Sequence, residues 1–264
     1  MPMTRAPDPG FTGGILDVAY TGRRLDYRTG WFVTGISGLT DGASVAPQEQ
    51  ERDRAEGQYD LPNRLRDPRI ITIKGIVYAG SAVELERMQW QQGALLAMPE
   101  SAAELHWKTR TGTRLSAYVR RGRGWEFTLS PSPRRATFLH RFRAPSQRVY
   151  GDQAEPVVGA NVVVENRGSA PTPSVITVTG AMPNGYSIRG PWGRVYDVAA
   201  GINAGSRDVI DLSTGLLTRD GALAAGVYGP RIDVWEIPPG RTPLELVPVT
   251  GTGEMSVSLR PAYF

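Results

Sequence analysis

Residues 69–97 constrain the fold more than any other stretch, because they combine one strong strand with one capped helix in a chain otherwise made of strand and turn patterns. Ile71 and Ile73 alternate with Thr72 and Lys74, as expected for a strand with one buried face. One helix on an antiparallel sheet, followed by a separate β-domain, narrows the possible architectures. It also argues against most enzyme folds.

The helix is predicted over about 81–97 from signals at both of its ends. Ser81 and Glu84 have capping-box spacing, in which the serine hydroxyl accepts from the first turn and the glutamate reaches back to the Ser81 amide. Pro99 stops the segment. Four apolar residues form a stripe at helical spacing, namely Leu85, Met88, Leu95 and Leu96.

The 264-residue chain is predicted to be mainly β and to form two domains. Its 31 glycines and 21 prolines are spread between short apolar runs, which is typical of a β-protein with many turns. Pro, Gly and polar residues interrupt the strand pattern over 144–160. We therefore predict an N-terminal β-sandwich or barrel-like domain with one α-helix over 1–150 and a C-terminal β-sandwich over 151–264. The predicted strands include Thr137–Phe142, Gly215–Thr218 and Arg231–Trp235.

The sequence shows no targeting or membrane-spanning pattern. Its first residues, MPMTRAPDPGFTGG, contain no apolar core, so we expect no signal peptide. No apolar run approaches the roughly 20 residues that span a bilayer, so we expect a soluble protein with no membrane partner. Cysteine is absent, which excludes a disulfide framework, a thiolate zinc site and a cysteine nucleophile.

A search for catalytic motifs finds no phosphate-binding loop, no dinucleotide fingerprint and no nucleophile elbow. The two histidines, His106 and His140, lie far apart in strand-like segments without carboxylates at ligand spacing, which favours structural or surface roles. We therefore expect no enzyme activity, no cofactor and no metal. A pair of carboxylates brought together from distant strands, as in glycoside hydrolases, stays open as an alternative.

Charge is divided unevenly along the chain. Residues 1–150 contain 22 basic and 15 acidic side chains, a net charge of +7, and the remainder contains 8 and 11, a net charge of −3. An arginine-dense region with interleaved aromatics includes Arg120, Arg121 and Arg123. Three interpretations stay open: a surface that tracks phosphates, the solvated face of alternating strands, or a protein–protein interface.

Two tryptophans of the C-terminal domain, Trp192 and Trp235, are candidates for a sugar-stacking platform. Trp235 alternates with Ile232 and Val234, so packing in a core or interface is the competing interpretation. The alternative function for this chain is thus a carbohydrate-binding, lectin-like β-sandwich.

The order of elements resembles the distal tail protein (Dit) family of long-tailed bacteriophages, minor proteins of the tail tip and baseplate hub. The resemblance covers most of the chain as an order of strands and turns. In the N-terminal part it is carried by Arg69–Gly75 (RIITIKG), by the Ser81–Ala97 helix and by Phe138–Tyr150 with Pro145 and Gly151. In the C-terminal part it is carried by Asn166–Gly168, Pro173–Gly180 (PSVITVTG), Val209–Asp211, Thr214-Gly215 and Asp220-Gly221.

The resemblance implies a structural role without catalysis. It implies that the N-terminal domain assembles into a ring, commonly hexameric, and that the C-terminal domain is a galectin-like β-sandwich that points outward. The implied partners are further copies of the chain, the major tail tube protein, the tail-tip hub, fibre or receptor-binding protein, and the tape measure protein. DNA would pass through only as cargo. The implied location is the virion tail tip, after synthesis in the cytoplasm of a bacterial host.

A long polar stretch, residues 38–67, shows neither helical nor strand periodicity over its full length. On the resemblance it would be an arm that reaches a neighbouring subunit or the tail tube. The candidate contact residues of this arm are Ala43, Gln48, Glu51, Arg54, Tyr59 and Asp60.

Overall fold

The computed structural model describes residues 18–20, 23–24, 29–39, 68–97, 102–109 and 112–264, the first two ranges as backbone only. The chain divides into two compact units, Met1–Val149 with Phe264, and Tyr150–Tyr263. The first is called unit 1 and the second unit 2. The sequence placed this boundary between residues 150 and 151. The structure confirms the prediction that the chain is mainly β.

Unit 1 contains an antiparallel sheet system and one described helix, α1, at Ala82–Ala94. Its strands are β1 (Val18–Tyr20), β2 (Arg23–Arg24), β3 (Trp31–Ser37), β4 (Arg69–Tyr78), β5 (Ala103–Lys108), β6 (Arg114–Arg121), β7 (Glu126–Leu129) and β8 (Arg135–Ala144), and β9 (Val149–Gly151) spans the unit boundary. The strands follow the order β2-β1-β5-β6-β8-β4-β3, and β7 also pairs with β8.

The strand β4 shows the predicted alternation, since Ile71, Ile73 and Val77 are fully buried while Lys74 is exposed. It pairs along its whole length with β8, and Ile73 lies opposite His140. The two strands therefore present one continuous inner face to the core of unit 1 and one outer face to solvent. The predicted strand Thr137–Phe142 extends in the structure by two residues at each end.

The helix α1 begins as the sequence predicts but ends earlier. The Ser81 hydroxyl accepts a hydrogen bond from the Glu84 amide at 3.1 Å. The Glu84 carboxylate reaches back to the amide of Gly80 at 2.7 Å, which corrects the predicted bond to Ser81. The helix stops at Ala94 rather than at residue 97, because Leu95 has extended backbone geometry. The inner side of α1 buries Leu85, Met88 and, outside the predicted stripe, Gln92.

Unit 2 is a sandwich of two antiparallel sheets. Its strands are β10 (Val157–Gly159), β11 (Asn161–Asn166), β12 (Ser174–Ala181), β13 (Tyr186–Arg189), β14 (Val195–Val198), β15 (Arg207–Asp211), β16 (Leu216–Arg219), β17 (Ala222–Leu223), β18 (Tyr228–Ile232), β19 (Gly240–Pro248), β20 (Thr252–Leu259) and β21 (Ala262–Tyr263). One sheet has the order β10-β20-β12-β15-β16-β17 and the other has β11-β19-β13-β14-β18. The core between them contains Ile176, Ile188, Ile210, Leu246 and Met255.

A buried polar network stabilises unit 2. Asp208 is fully buried and accepts two hydrogen bonds from the Arg219 guanidinium, at 2.7 and 2.8 Å. The Tyr186 hydroxyl donates to the same carboxylate at 2.8 Å. Burial and the nearby Asp208 carboxylate raise the pKa of Tyr186, so its phenol stays neutral and keeps donating. Breaking such a network leaves an uncompensated buried charge, which gives it a structural role.

One predicted strand of unit 2 is wrong. The sequence pattern favoured a strand over Arg231–Trp235, but β18 ends at Ile232. The Asp233 carboxylate instead accepts a hydrogen bond from the Val195 amide at 2.9 Å, and this contact fixes the chain where it leaves the sheet. A short-range alternation of apolar residues cannot reveal this contact with a distant strand.

Candidate functional site

Arg69 forms hydrogen bonds that hold the two ends of the β3–β4 connection close together. This arginine is buried, and its guanidinium donates to the carbonyl oxygens of Gly38 at 3.0 Å, Leu39 at 2.9 Å and Gln147 at 3.0 Å. It therefore joins the first two residues of the long polar stretch to the first strand after it. The six candidate arm residues, Ala43, Gln48, Glu51, Arg54, Tyr59 and Asp60, lie outside the described residues.

The three candidate interface arginines, Arg120, Arg121 and Arg123, lie in different environments. Arg121 lies on the inner side of β6, where its guanidinium donates to the carbonyl oxygen of Gly93 at 2.6 Å, at the end of α1. It also stacks over the ring of Trp125, 4.5 Å from the centroid. A cation at a helix C-terminus interacts favourably with the helix dipole and the last carbonyls. Arg121 is therefore a structural residue, whereas Arg123 is exposed.

The outer face of β4, β6 and β8 is strongly basic. Arg120 on β6 lies directly opposite Arg143 on β8, and Arg143 lies opposite Ile70 on β4. Arg141 follows on the same side of β8, and Tyr118 is exposed on the same side of β6. We call these five residues the basic face. Arg141 and Arg143 are exposed, and exposed guanidinium groups can bind an anionic or aromatic partner.

The side of α1 that faces away from the core exposes two large apolar side chains. Val83 and Trp90, seven residues apart, are 77% and 74% exposed. At helical spacing they share one face with Glu86 and Arg87, which are also exposed. We call these four residues the helix face. The sequence contained a signal for this face, since Val83 and Trp90 both lie outside the apolar stripe of the predicted helix.

His140 has a structural position in the core of unit 1. Its side chain is fully buried and stacks on Trp125, with ring centroids 4.3 Å apart. Phe138 and Trp31 also contact it, with centroids at 4.8 and 5.6 Å. Burial, with a smaller contribution from the charge of Arg121, lowers the pKa of His140 to about 3. The imidazole is therefore neutral at ordinary pH, while His106 is exposed near Glu104.

The two candidate sugar-stacking tryptophans differ in exposure: Trp235 is buried and Trp192 is exposed. Trp235 is only 4% exposed and belongs to the core of unit 2, where its ring packs against the backbone of Gly190. Its indole is not available to stack on a sugar, which corrects the prediction for Trp235. Trp192 is 73% exposed and has a φ of 58°, a backbone conformation that is rare for a bulky residue.

Trp192 is presented by a tight turn beside a shallow pocket. The Gly190 amide donates to the Arg194 carbonyl at 2.8 Å and closes the turn. The pocket has a volume of about 400 Å³ and is lined by residues of β11, β13 and β19, with Gly190 at one side. In it Arg189 donates to the Glu245 carboxylate at 3.0 Å, and both side chains are about half exposed. Asn161 supplies a further polar group.

The described ranges contain no group of three His, Asp or Glu side chains placed to hold a metal ion. Within those same ranges, no helix combines the length and the apolar character that crossing a membrane requires.

No protein-family model matches the sequence, and no curated protein matches it. Among solved structures, the chain is similar to the Dit protein (gp 19.1) of phage SPP1, described as a paradigm of the hub adsorption apparatus in phages that infect Gram-positive bacteria. The TM-score is 0.77 at 14% identity, and the match covers 94% of this chain and 99% of the SPP1 protein. A chain of the phage p2 baseplate in its activated, strontium-bound conformation matches with a TM-score of 0.50 at 10% identity, covering 92% of this chain and 97% of that one. This chain therefore has the two-unit β-fold of the phage distal tail protein SPP1 Dit.

Proposed function

We propose that this protein is a structural, non-enzymatic component of a phage tail tip. Copies of it form an oligomeric ring, a hexamer on the resemblance, that joins the tail tube to the tail-tip hub or receptor-binding apparatus and lets DNA pass. The observation that supports this most strongly is the extent of the fold match. It covers 94% of this chain and 99% of SPP1 Dit, so it includes both units rather than a common sandwich alone.

The two units would have different tasks in such a ring. Unit 1 contains the basic face, the helix face and the connection fastened by Arg69, which are suited to contacts with other copies and with the tail tube. Unit 2 would be the outward-facing, galectin-like sandwich that meets the hub, fibre or receptor-binding protein. The opposite net charges of the two parts of the sequence favour complementary contacts between partners. The tape measure protein is a further proposed partner.

Ring formation is tested by native mass spectrometry and negative-stain electron microscopy of the purified protein over a range of concentrations. We expect a discrete oligomer whose particles show a central hole. A second sample mixed with purified tail tubes covers the case in which assembly needs the tube. A protein that stays monomeric in both samples and does not bind the tube ends contradicts the proposal.

A second candidate function, carbohydrate binding by unit 2, is supported by the position of Trp192. An exposed indole in a strained backbone conformation, beside a pocket with charged and amide side chains, has the features of a ligand site. A glycan array and soluble host cell-wall polysaccharide are the probes. Binding that is lost in Trp192→Ala with the fold intact supports the lectin function, and no binding in either assay contradicts it.

A further inference from the structure

We propose that the helix face of one copy docks on the basic face of a second copy. This inference rests on the proposed ring, and it names the two surfaces that form the contact. The interface is heterologous, because two different surfaces meet and each copy contributes one of them to each neighbour. Such head-to-tail contacts close into a ring when the rotation between copies allows it.

The basic face supplies the cationic half of this contact. Residues 112–149 contain nine arginines and one acidic residue, Glu126. The pair Arg120 and Arg143 places two of these positive charges opposite each other on neighbouring strands. The exposed Tyr118 and Ile70 add apolar area beside them. Arginine and tyrosine are enriched among the residues that contribute most to binding at protein interfaces.

The helix face supplies the aromatic half of this contact. The exposed indole of Trp90 is the ring type that binds a guanidinium most strongly through its π face. Val83 adds apolar area about two helical turns away. The helix face itself contains one glutamate, Glu86, and one arginine, Arg87, so its net charge is zero. A second copy of the chain therefore complements the basic face through the indole of Trp90, which can stack on an exposed guanidinium.

The fold places these two surfaces on opposite sides of unit 1. On β6 the side chains alternate, so Val119 and Arg121 point inward while Arg120 belongs to the outer face. The inward Arg121 bonds the carbonyl of Gly93 in α1, which places the helix on the inner side of the sheet. The helix face then points away from the basic face, so both surfaces can be occupied at once by two neighbours.

The test uses the absence of cysteine from the chain, since introduced thiols are then the only ones. Val83→Cys on the helix face and Ile70→Cys on the basic face are prepared separately, mixed and treated with a short bismaleimide. We expect a cross-linked 1:1 heterodimer in the mixture and at least tenfold less dimer from either variant alone. A chain with both substitutions should give a ladder of multimers. Val163→Cys in unit 2, about as exposed as Ile70, replaces Ile70→Cys in the control mixture.

Charge reversal and truncation then test the chemistry of the contact. Arg141→Glu with Arg143→Glu, added to Ile70→Cys, should lower the heterodimer yield at least tenfold, as should Trp90→Ala added to Val83→Cys. The matched reversal Arg207→Glu with Arg241→Glu, at exposed positions of unit 2, should leave the yield unchanged.

A yield no higher than that of the Val163→Cys control overturns the proposal, as does a yield that the basic-face reversal does not change. If microscopy shows rings but this cross-link does not form, the proposed function is supported and only the assignment of the helix face and the basic face to the contact is wrong. The cross-link without rings would support the surfaces and contradict the ring.

Discussion

The guanidinium of Arg69 donates a hydrogen bond to the carbonyl oxygen of Leu39 at 2.9 Å, and this contact ties together the two ends of the long connection between β3 and β4. The same side chain bonds Gly38 and Gln147, so one buried arginine satisfies three backbone carbonyls. The base of the connection is therefore held by a buried side chain of unit 1.

We expect Arg69→Met to lower the free energy of unfolding of unit 1 by about 2–4 kcal/mol, because three backbone carbonyls, two of them in buried contacts, lose a charged donor. Urea unfolding of the full chain measures the loss, and hydrogen exchange of β3 and β4 amides places it in unit 1. Arg123→Met, at an exposed position of unit 1 outside the basic face, is the matched control and should change stability by less than about 0.5 kcal/mol. Equal effects of the two substitutions would contradict this role.

Deletion of Ala43–Asp60 should leave both units folded, because Arg69 holds the flanking backbone and loop length has only a weak effect on stability. If the deleted residues form an assembly arm, the oligomer or its docking on tail tubes should weaken at least tenfold. Native mass spectrometry and tube co-sedimentation measure this, with circular dichroism as the folding control. Unchanged assembly would rule out the arm.

Arg121→Gln should destabilise α1 by about 1–2 kcal/mol, because the helix end loses a charge-assisted hydrogen bond and Trp125 loses its cation contact. Faster hydrogen exchange of the α1 amides is the measurement. Arg123→Gln, at an exposed position two residues away, should leave that exchange unchanged. If the two variants behave alike, Arg121 does not hold the helix end.

Arg121 shows which features of this fold cannot be predicted from the sequence alone. The β4 alternation and the Ser81 cap depend on residues a few positions apart, and the sequence predicted both. Whether Arg121 points inward depends on α1 and β8, which lie far away along the chain, so the sequence left three interpretations open. The same holds for Trp235, whose neighbours alternate as in a strand although its ring packs on Gly190, 45 positions away along the chain.

The stability of unit 1 should fall in acid because His140 is buried as the neutral form. Its pKa is lowered from 6.5 to about 3 in the folded protein, so the unfolded chain binds more protons between these values. By linkage, the free energy of unfolding decreases as pH falls through that window, by up to about 1.4 kcal/mol per pH unit from this group.

His140→Gln removes this titration and should flatten the pH dependence, although the loss of ring packing lowers stability at every pH. Urea unfolding between pH 7.5 and 4.5 measures the slope for both proteins. Carboxylates that titrate in the same range contribute equally to both, so the difference between the two slopes isolates His140. Parallel stability curves would show that His140 does not carry the acid sensitivity.

Trp192 has a positive φ of 58° and an indole that is 73% exposed. Burial of the indole therefore does not offset the strain in its backbone. Left-handed geometry costs an L-residue about 1–2 kcal/mol, and glycine avoids this cost while losing some chain entropy. We therefore expect Trp192→Gly to raise the free energy of unfolding of unit 2 by about 0.5–1 kcal/mol. Trp192→Ala keeps the strain and should give no gain.

Urea unfolding of the full chain, with hydrogen exchange of β13 and β14 as the local measure, compares the two variants. A gain in the glycine variant alone would mean that the wild-type residue opposes folding at this turn. The exposed indole would then be explained by a contact outside the folded chain, either a glycan or another tail protein. If both variants lose stability equally, the indole packs on its own unit and needs no ligand to account for it.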